Sequence, residues 1–382
     1  MKCTGIDAAT GEQVEISFAG VIESAEPLLG PIDAAPVLAP AFIDLQVNGF
    51  AGVDYNSPAT SHEEIARSLR VLFSCGVARF FPTVITGPPE DMRRALRNLA
   101  EARESLEDGA AMEAFHVEGP HISPEDGPRG AHPKQWVRPP DLDEFRRWQE
   151  AARGNVRLVT LAPEWPQAAR YIEALVREGV VVSIGHTAAS GEQIRDAVSA
   201  GATMSTHLGN GAHPVMRRHP NYIWEQLAED RLAASFIVDG IHLPASFLKV
   251  ALRAKGVERS ILVTDATTPA GAAPGRYKLG EQDVELTADQ HVVLAGTERL
   301  AGSALRMDRG VENLMRLAGL SLREALAMAA RNPARLGRVA GRQRGLVPGD
   351  RADIIEFRFD PERKSVTVEK TWIGGKLAFA KN

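Results

Sequence analysis

The stretch Ala114-Phe115-His116-Val117-Glu118-Gly119-Pro120 is a short apolar run that stops at a carboxylate and is followed at once by two residues that break regular structure. It reads as a buried strand, too short for a helix. Seven further runs of the same kind occur: Phe42–Val47, Arg79–Val84, Val156–Leu161, Val180–Gly185, Thr203–His207, Ala233–Val238 and Ile261–Asp265. Between them lie amphipathic stretches, Glu63–Phe73, Asp91–Glu104, Gln167–Glu178, Glu192–Ala200 and Leu243–Lys255, each able to lay an apolar stripe on a sheet. Eight strands alternating with helices predict a parallel sheet closed into a (β/α)₈ TIM barrel, an α/β fold.

The two ends of the chain depart from that rhythm. Val14–Phe18 near the start, and Arg351–Glu356, Ser365–Lys370 and Thr371–Ala378 near the end, read as strands. They predict a small β-sandwich domain built from residues 1–40 and 345–382, with the barrel spanning 41–344. A Gly/Pro-rich stretch, Pro269–Ala301 with strand-like Val292–Leu294, reads as a long insertion over the barrel mouth.

A length of 382 residues suits this plan, since a barrel takes roughly 250 residues. The chain contains no run of about 18 apolar residues, so membrane insertion is not expected. Its net charge of −5 offers no basic field for nucleic acid. The first residues lack the apolar core of a secretory signal, which points to the cytoplasm. Two cysteines, Cys3 and Cys75, make neither a disulfide framework nor a thiolate metal site; Cys75 reads as a small buried residue.

In such a barrel the active site lies at the C-terminal ends of the strands. The third strand ends at Glu118, the fifth in Gly185-His186-Thr187, the sixth in Thr206-His207-Leu208 and the eighth in Thr264-Asp265-Ala266. One carboxylate and two imidazoles converging on one mouth form a three-ligand site for a divalent ion, with a position left for water. Taken singly, each has a bland reading as a hydrogen-bonded residue; taken together they point to metal-assisted hydrolysis. Asp265, at the end of the last strand, is placed to act as general base and then general acid, or as a further ligand.

His116-Val117-Glu118-Gly119-Pro120, Gly185-His186-Thr187, Thr206-His207-Leu208, Val238-Asp239-Gly240-Ile241-His242, Val263-Thr264-Asp265-Ala266 and Leu300-Ala301-Gly302-Ser303 resemble the N-acetylglucosamine-6-phosphate deacetylases of the amidohydrolase superfamily. The likeness runs in order from about Pro40 to Asp353 and includes Asn332-Pro333-Ala334. It implies Glu118, His186 and His207 as ligands of one divalent metal, zinc foremost, with iron or cobalt as alternatives. It implies Asp265 as acid/base and His132 as the group that helps polarise the substrate carbonyl. His242, Asn210 and Gly211 are implied as substrate or phosphate contacts, with Leu300 in a loop closing over the sugar. The first strand reads Asp44-Leu45-Gln46-Val47-Asn48-Gly49, with amides where many amidohydrolases carry His-x-His, and the fourth offers no Lys; both argue against a bridged pair of ions. Gln46 and Asn48 are counted with the residues facing substrate.

The segment after the sixth strand departs from the family pattern, which carries an aromatic: His207-Leu208-Gly209-Asn210-Gly211-Ala212-His213-Pro214. In the family an arginine from this region binds phosphate in a neighbouring subunit's site; Arg217 or Arg218 is the counterpart, which implies a homodimer or higher homo-oligomer. The expected activity is hydrolysis of the acetamide of an N-acetyl amino sugar, N-acetylglucosamine 6-phosphate foremost. The competing readings are a related hydrolase of another N-acyl amine, an N-acyl amino acid or a cyclic amide, and a non-hydrolytic sugar-binding barrel.

Overall fold

Burial on both faces explains why the eight runs form strands. Phe42–Val47, Val77–Ile85, Phe115–Glu118, Val156–Leu161, Val181–Ile184, Met204–Ser205, Ala233–Ile237 and Ser260–Val263 are almost wholly buried, as a parallel sheet covered on both sides requires. In this computed structural model, which describes residues 1–28 and 35–381, they pair in chain order into one eight-stranded sheet. The part of the expected N-terminal domain at 29–34, and residue 382, lie outside the described residues.

The sheet returns on itself at the seam between its first and last strands. Val47 and Ala266 form a parallel bridge, and the Asn48 N–H donates to the Ala266 carbonyl at 2.7 Å. Alternate strand residues, among them Ile43, Leu45, Phe81, Leu158, Val181, Met204, Ile237 and Val263, pack together with Ala334 and Val339 from the C-terminal end of the barrel sequence. The remaining strand residues pack against the helices, including His62–Ser74, Pro89–Ser105, Ala168–Arg177, Gly191–Ser199 and Ala245–Lys255. Two of these helices begin with a reciprocal cap, Ser61 with Glu64 and Ser190 with Gln193, which satisfies first-turn amides and fixes where each helix starts.

The chain ends meet in one seven-stranded sheet, in the order Lys376–Ala380, Ser365–Ile373, Ile354–Asp360, Val37–Pro40, Lys2–Asp7, Gln13–Phe18 and Ile22–Pro27. Its core of Ile16, Phe18, Leu38, Ile354 and Trp372 is separate from that of the barrel. The expected break between Lys370 and Thr371 does not occur: one strand runs to Ile373, and the turn is made at Gly374 and Gly375, both with positive φ. The insertion holds more order than its sequence announced. Gly275–Leu279, Gln282–Leu286 and Val292–Leu294 form a three-stranded antiparallel sheet over a small core of Leu279, Val284, Leu286, Val292 and Ala301.

A buried charge cluster joins barrel and terminal sheet. Asp353 accepts two parallel hydrogen bonds from Arg79 of the second barrel strand, both at 2.9 Å, and one from the Gly374 N–H at 2.7 Å. Arg342 forms an ion pair with the same carboxylate at 3.0 Å. Burial alone would raise the Asp353 pKa, but the Arg342 and Arg79 guanidiniums outweigh it and hold it at about 2. Removing one partner of such a cluster strands the others, at a cost of about 3–5 kcal/mol. Asp353→Ala is therefore expected to lower the unfolding free energy from denaturant titration by that much; a change under about 1 kcal/mol would show that the cluster is not what fastens the two parts. Because the folded-state pKa lies below the ordinary 3.8, this stabilisation is present above about pH 4 and is lost as the pH falls toward 2. A pH series of unfolding midpoints checks this, and in Asp353→Ala that decline should shrink.

Candidate active site

The third strand delivers Glu118 into the mouth of the barrel, where its Oε1 lies 2.8 Å from His207 Nε2 and 3.1 Å from His186 Nε2. One ligand atom from each residue can be chosen so that all lie within 4.8 Å of one another, and all three residues are buried. The other nitrogen of His186, Nδ1, is 2.8 Å from the Pro128 carbonyl, which can only accept. A neutral His186 ring therefore carries its proton on Nδ1 and presents a lone pair at Nε2 toward a carboxylate oxygen. Two facing lone pairs require a cation between them, either a proton or a metal ion.

The electrostatics agree. Burial would raise the Glu118 pKa, but hydrogen bonds from His186 and His207 outweigh burial and hold it well below the usual range. Burial would lower that of His207, yet the Glu118 carboxylate raises it. The donor set of one carboxylate and two imidazoles fits a divalent ion with a position left open for water.

Three of the strand-end residues stand in left-handed backbone conformations: His186 (φ 51°), His207 (φ 30°) and Asp265 (φ 49°). Such residues cost of order 1–3 kcal/mol each and persist where the surroundings fix them. For His186 the surroundings include two glycines that abut its ring: a Cβ at Gly130 would stand 2.9 Å from Cε1, and one at Gly211 would stand 2.6 Å from Nδ1. Glu164, just beyond the fourth strand, holds the following turn, accepting from the Thr187 hydroxyl at 2.5 Å and the Ala188 N–H at 2.9 Å.

Asp265 Oδ1 accepts from Asn48 Nδ2 at 2.7 Å and from Gln46 Nε2 at 3.0 Å. Burial, with the neighbouring Glu118 charge, raises its pKa to about 6, while His207, His242 and the Asn48 bond pull the other way. Asn48 also borders the cavity, whereas Gln46 stands behind it with its amide on Asp265. His132 packs edge-on against His186, with centroids 4.4 Å apart, and its Nδ1 lies 2.8 Å from the Thr86 hydroxyl. Burial, helped by His186, lowers its pKa to about 3, so the ring is neutral. Asp239 fixes His242 by accepting from its backbone N–H at 2.8 Å and pairing with Nδ1 at 2.6 Å.

Asn48, Glu118, His132, His186, His207, His242 and Asp265 border one cavity of about 700 Å³, whose wall also includes Asn210, Gly211 and Leu300. The insertion supplies part of that wall through Leu279, Gln282 and residues 299–302. Arg217 and Arg218 are exposed and form no part of the wall within one chain. The aromatic missing at Gly209 has a physical counterpart: a Cβ there would stand 2.8 Å from Phe247 and Leu243, whose side chains fill the space. Sequence reading passed over Thr86, Glu164 and Arg299. Thr86 follows the second barrel strand directly, so the rule of polar residues at strand ends would have found it.

The model of the amidohydrolase family matches residues 37–378. The chain is 34% identical to the N-acetylglucosamine-6-phosphate deacetylase of Bacillus subtilis, across 91% of this chain and 85% of the relative. It is 33% identical to the N-acetylgalactosamine-6-phosphate deacetylase of Escherichia coli O157:H7, across 94% and 93%. Among solved structures, a mutant N-acetyl-D-glucosamine-6-phosphate deacetylase of Mycobacterium smegmatis, in complex with N-acetyl-D-glucosamine-6-phosphate, superposes with a TM-score of 0.86 at 30% identity, covering 96% of this chain and 94% of that one. The likeness thus extends through the barrel and into the strands at the chain's end, and this protein belongs to the amidohydrolase family.

Proposed function

We propose that the protein is a metal-dependent deacetylase that hydrolyses the acetamide of N-acetylglucosamine 6-phosphate to glucosamine 6-phosphate and acetate. The observation that carries this reading is Asp265, a buried carboxylate that shares one cavity with the Glu118, His186 and His207 group. In this reading those three residues hold one divalent ion, zinc foremost, although the same ligands accommodate iron or cobalt. A bound ion supplies Lewis acidity toward the amide carbonyl and makes water a stronger acid.

The rest is the work of the chain. Asp265 accepts the proton of the attacking water and passes it to the sugar nitrogen as the C–N bond breaks. Gln46 and Asn48 both load Oδ1, which leaves Oδ2 to carry that proton. A Thr86 hydroxyl that donates to His132 Nδ1, 2.8 Å away, would leave the ring proton on Nε2, the donor that a developing oxyanion needs. Asn210, Gly211 and His242 take the phosphate-bearing end of the sugar, and Leu300 covers the ring. Arg217 or Arg218 reaches the phosphate from a second copy, which makes the working form a homodimer or larger. No helix of the described residues is long and apolar enough to cross a membrane, and a phosphorylated sugar, which does not cross membranes unaided, suits a cytoplasmic enzyme. The Escherichia coli relative named for the galactosamine epimer keeps N-acetylgalactosamine 6-phosphate as the second reading.

Amine release from N-acetylglucosamine 6-phosphate, its galactosamine epimer and unphosphorylated N-acetylglucosamine, assayed side by side on metal-loaded enzyme, tests the substrate. The first is expected to be fastest; turnover of none of them sinks the reading. Asp265→Asn should retain metal and lose about 10²–10⁴-fold in kcat, whereas activity within a few-fold of wild type removes Asp265 from proton transfer. His186→Ala should instead lose its ion on dialysis, read by metal analysis, and undiminished metal content would exclude it as a ligand. Size-exclusion with light scattering is expected to find a dimer or larger; a fully active monomer rules out an arginine acting from a second copy.

A further inference from the structure

We propose that Arg299, on the insertion over the barrel mouth, is a specificity residue that binds the phosphate ester of the substrate from within the same chain. The proposal deepens the deacetylase reading and rests on it for the direction in which the sugar enters.

Arg299 is the only Lys or Arg among the described residues of the cavity wall, which otherwise carries the carboxylates of Glu118, Asp126 and Asp265. Asp126 is paired with Arg129, and Glu118 and Asp265 serve the deep end, where an ion and a water belong. A divalent ion there offsets those two carboxylates, which leaves the cation supplied by the insertion as the one unpaired permanent charge of the outer wall. A sugar with an amide at one end and a phosphate dianion at the other is oriented by that placement.

The position of Arg299 is set by its backbone. Its carbonyl accepts from the Leu294 N–H at 2.9 Å and its own N–H donates to the Thr297 hydroxyl at 3.2 Å. The next residue, Leu300, is in the cavity wall. Across the mouth, the guanidinium donates through Nη2 to the Gly130 carbonyl. Its other N–H groups have no protein partner among the described residues. Gly130 and Gly211 abut the same edge of the His186 ring, so the anchor of Arg299 stands on the rim that carries Asn210 and Gly211. A neutral carbonyl is a weak resting partner for a guanidinium. Exchanging it for a phosphate gives a charge-assisted, two-pronged contact of the kind arginine forms best.

The test compares wild type with Arg299→Gln and Arg299→Lys on N-acetylglucosamine 6-phosphate and N-acetylglucosamine. The Gln variant is expected to lower the ratio of kcat/KM between the phosphorylated and plain sugars by about 10–100-fold, through KM of the phosphorylated one, and the Lys variant to recover part of it. Calorimetric binding of glucosamine 6-phosphate should weaken by a similar factor. A residue that only ties the insertion to Gly130 would depress both sugars alike, and an unchanged ratio overturns the assignment. If wild type releases amine from neither sugar, the deacetylase reading fails. Binding of glucosamine 6-phosphate against glucosamine then decides Arg299 separately, and equal preference in wild type and Arg299→Gln overturns it.

Discussion

The seam between the first and last barrel strands is the constraint on which the site depends. Seven neighbouring pairs follow one another along the sheet, but the eighth must join residues more than 200 positions apart, and it does so with few backbone bonds. Side chains complete it. Asp44, fully buried, accepts from the Thr264 hydroxyl at 2.5 Å and from the Thr264 N–H at 3.2 Å. Burial raises the Asp44 pKa to about 7 against the pull of those bonds, so a group poised between acid and carboxylate sits in the joint. Gly49 allows the close approach, since a Cβ there would stand 2.5 Å from the Val53 carbonyl and 2.9 Å from the Thr268 nitrogen. The same closure brings Gln46 and Asn48 from the first strand onto Asp265 from the last. Barrel closure and the placement of Asp265 are thus one event.

The strained backbone at the mouth follows from what the side chains must do there. A residue still in a strand points alternately into the barrel or out to the helices; a left-handed residue just past the strand end turns its side chain across the opening instead. His186, His207 and Asp265 all do this, and their chain neighbours absorb the cost. Ser303 donates through its hydroxyl to the Thr264 carbonyl at 2.5 Å and through its N–H to the Asp265 carbonyl at 3.1 Å, and the Ser235 hydroxyl accepts from the His207 N–H at 2.8 Å. Beneath them a belt of hydroxyls, Thr160 to Thr206 at 2.7 Å and Thr206 to Ser183 at 2.6 Å, links strands four to six. Thr160 also meets His116 at 2.8 Å, so the fourth strand contributes a structural hydroxyl.

The barrel was legible because its strands are buried on both faces and so differ in kind from the helices between them. Strand ends were less so. The sixth strand shrinks from the expected Thr203–His207 to Met204–Ser205, because the backbone leaves the ladder to aim His207, a tertiary demand that composition does not express. The insertion hid two strands for a different reason. Gly275–Leu279 and Gln282–Leu286 face solvent on one side, and their apolar residues Tyr277, Leu279, Val284 and Leu286 are too few to stand out without the third strand beside them. The Glu118, His186, His207 group was readable from strand ends alone, whereas the amide support of Asp265 was not. Gln46 and Asn48 looked like substitutes for ligands, and only the seam shows that they hold a carboxylate.

The altered segment after the sixth strand illustrates how a local departure can leave the chemistry in place. At Gly209 (φ 103°) and Gly211 (φ 56°) the backbone takes conformations that side chains resist. The space a side chain at Gly209 would need is filled by Phe247 and Leu243, and Gly211 closes directly on the His186 ring. Phe247, on the helix Ala245–Lys255, and Leu243 just before it therefore pack directly against the backbone at Gly209. The segment shapes the outer cavity through Asn210, Gly211 and Ala212, while Glu118 and the two imidazoles are fixed by the barrel behind it.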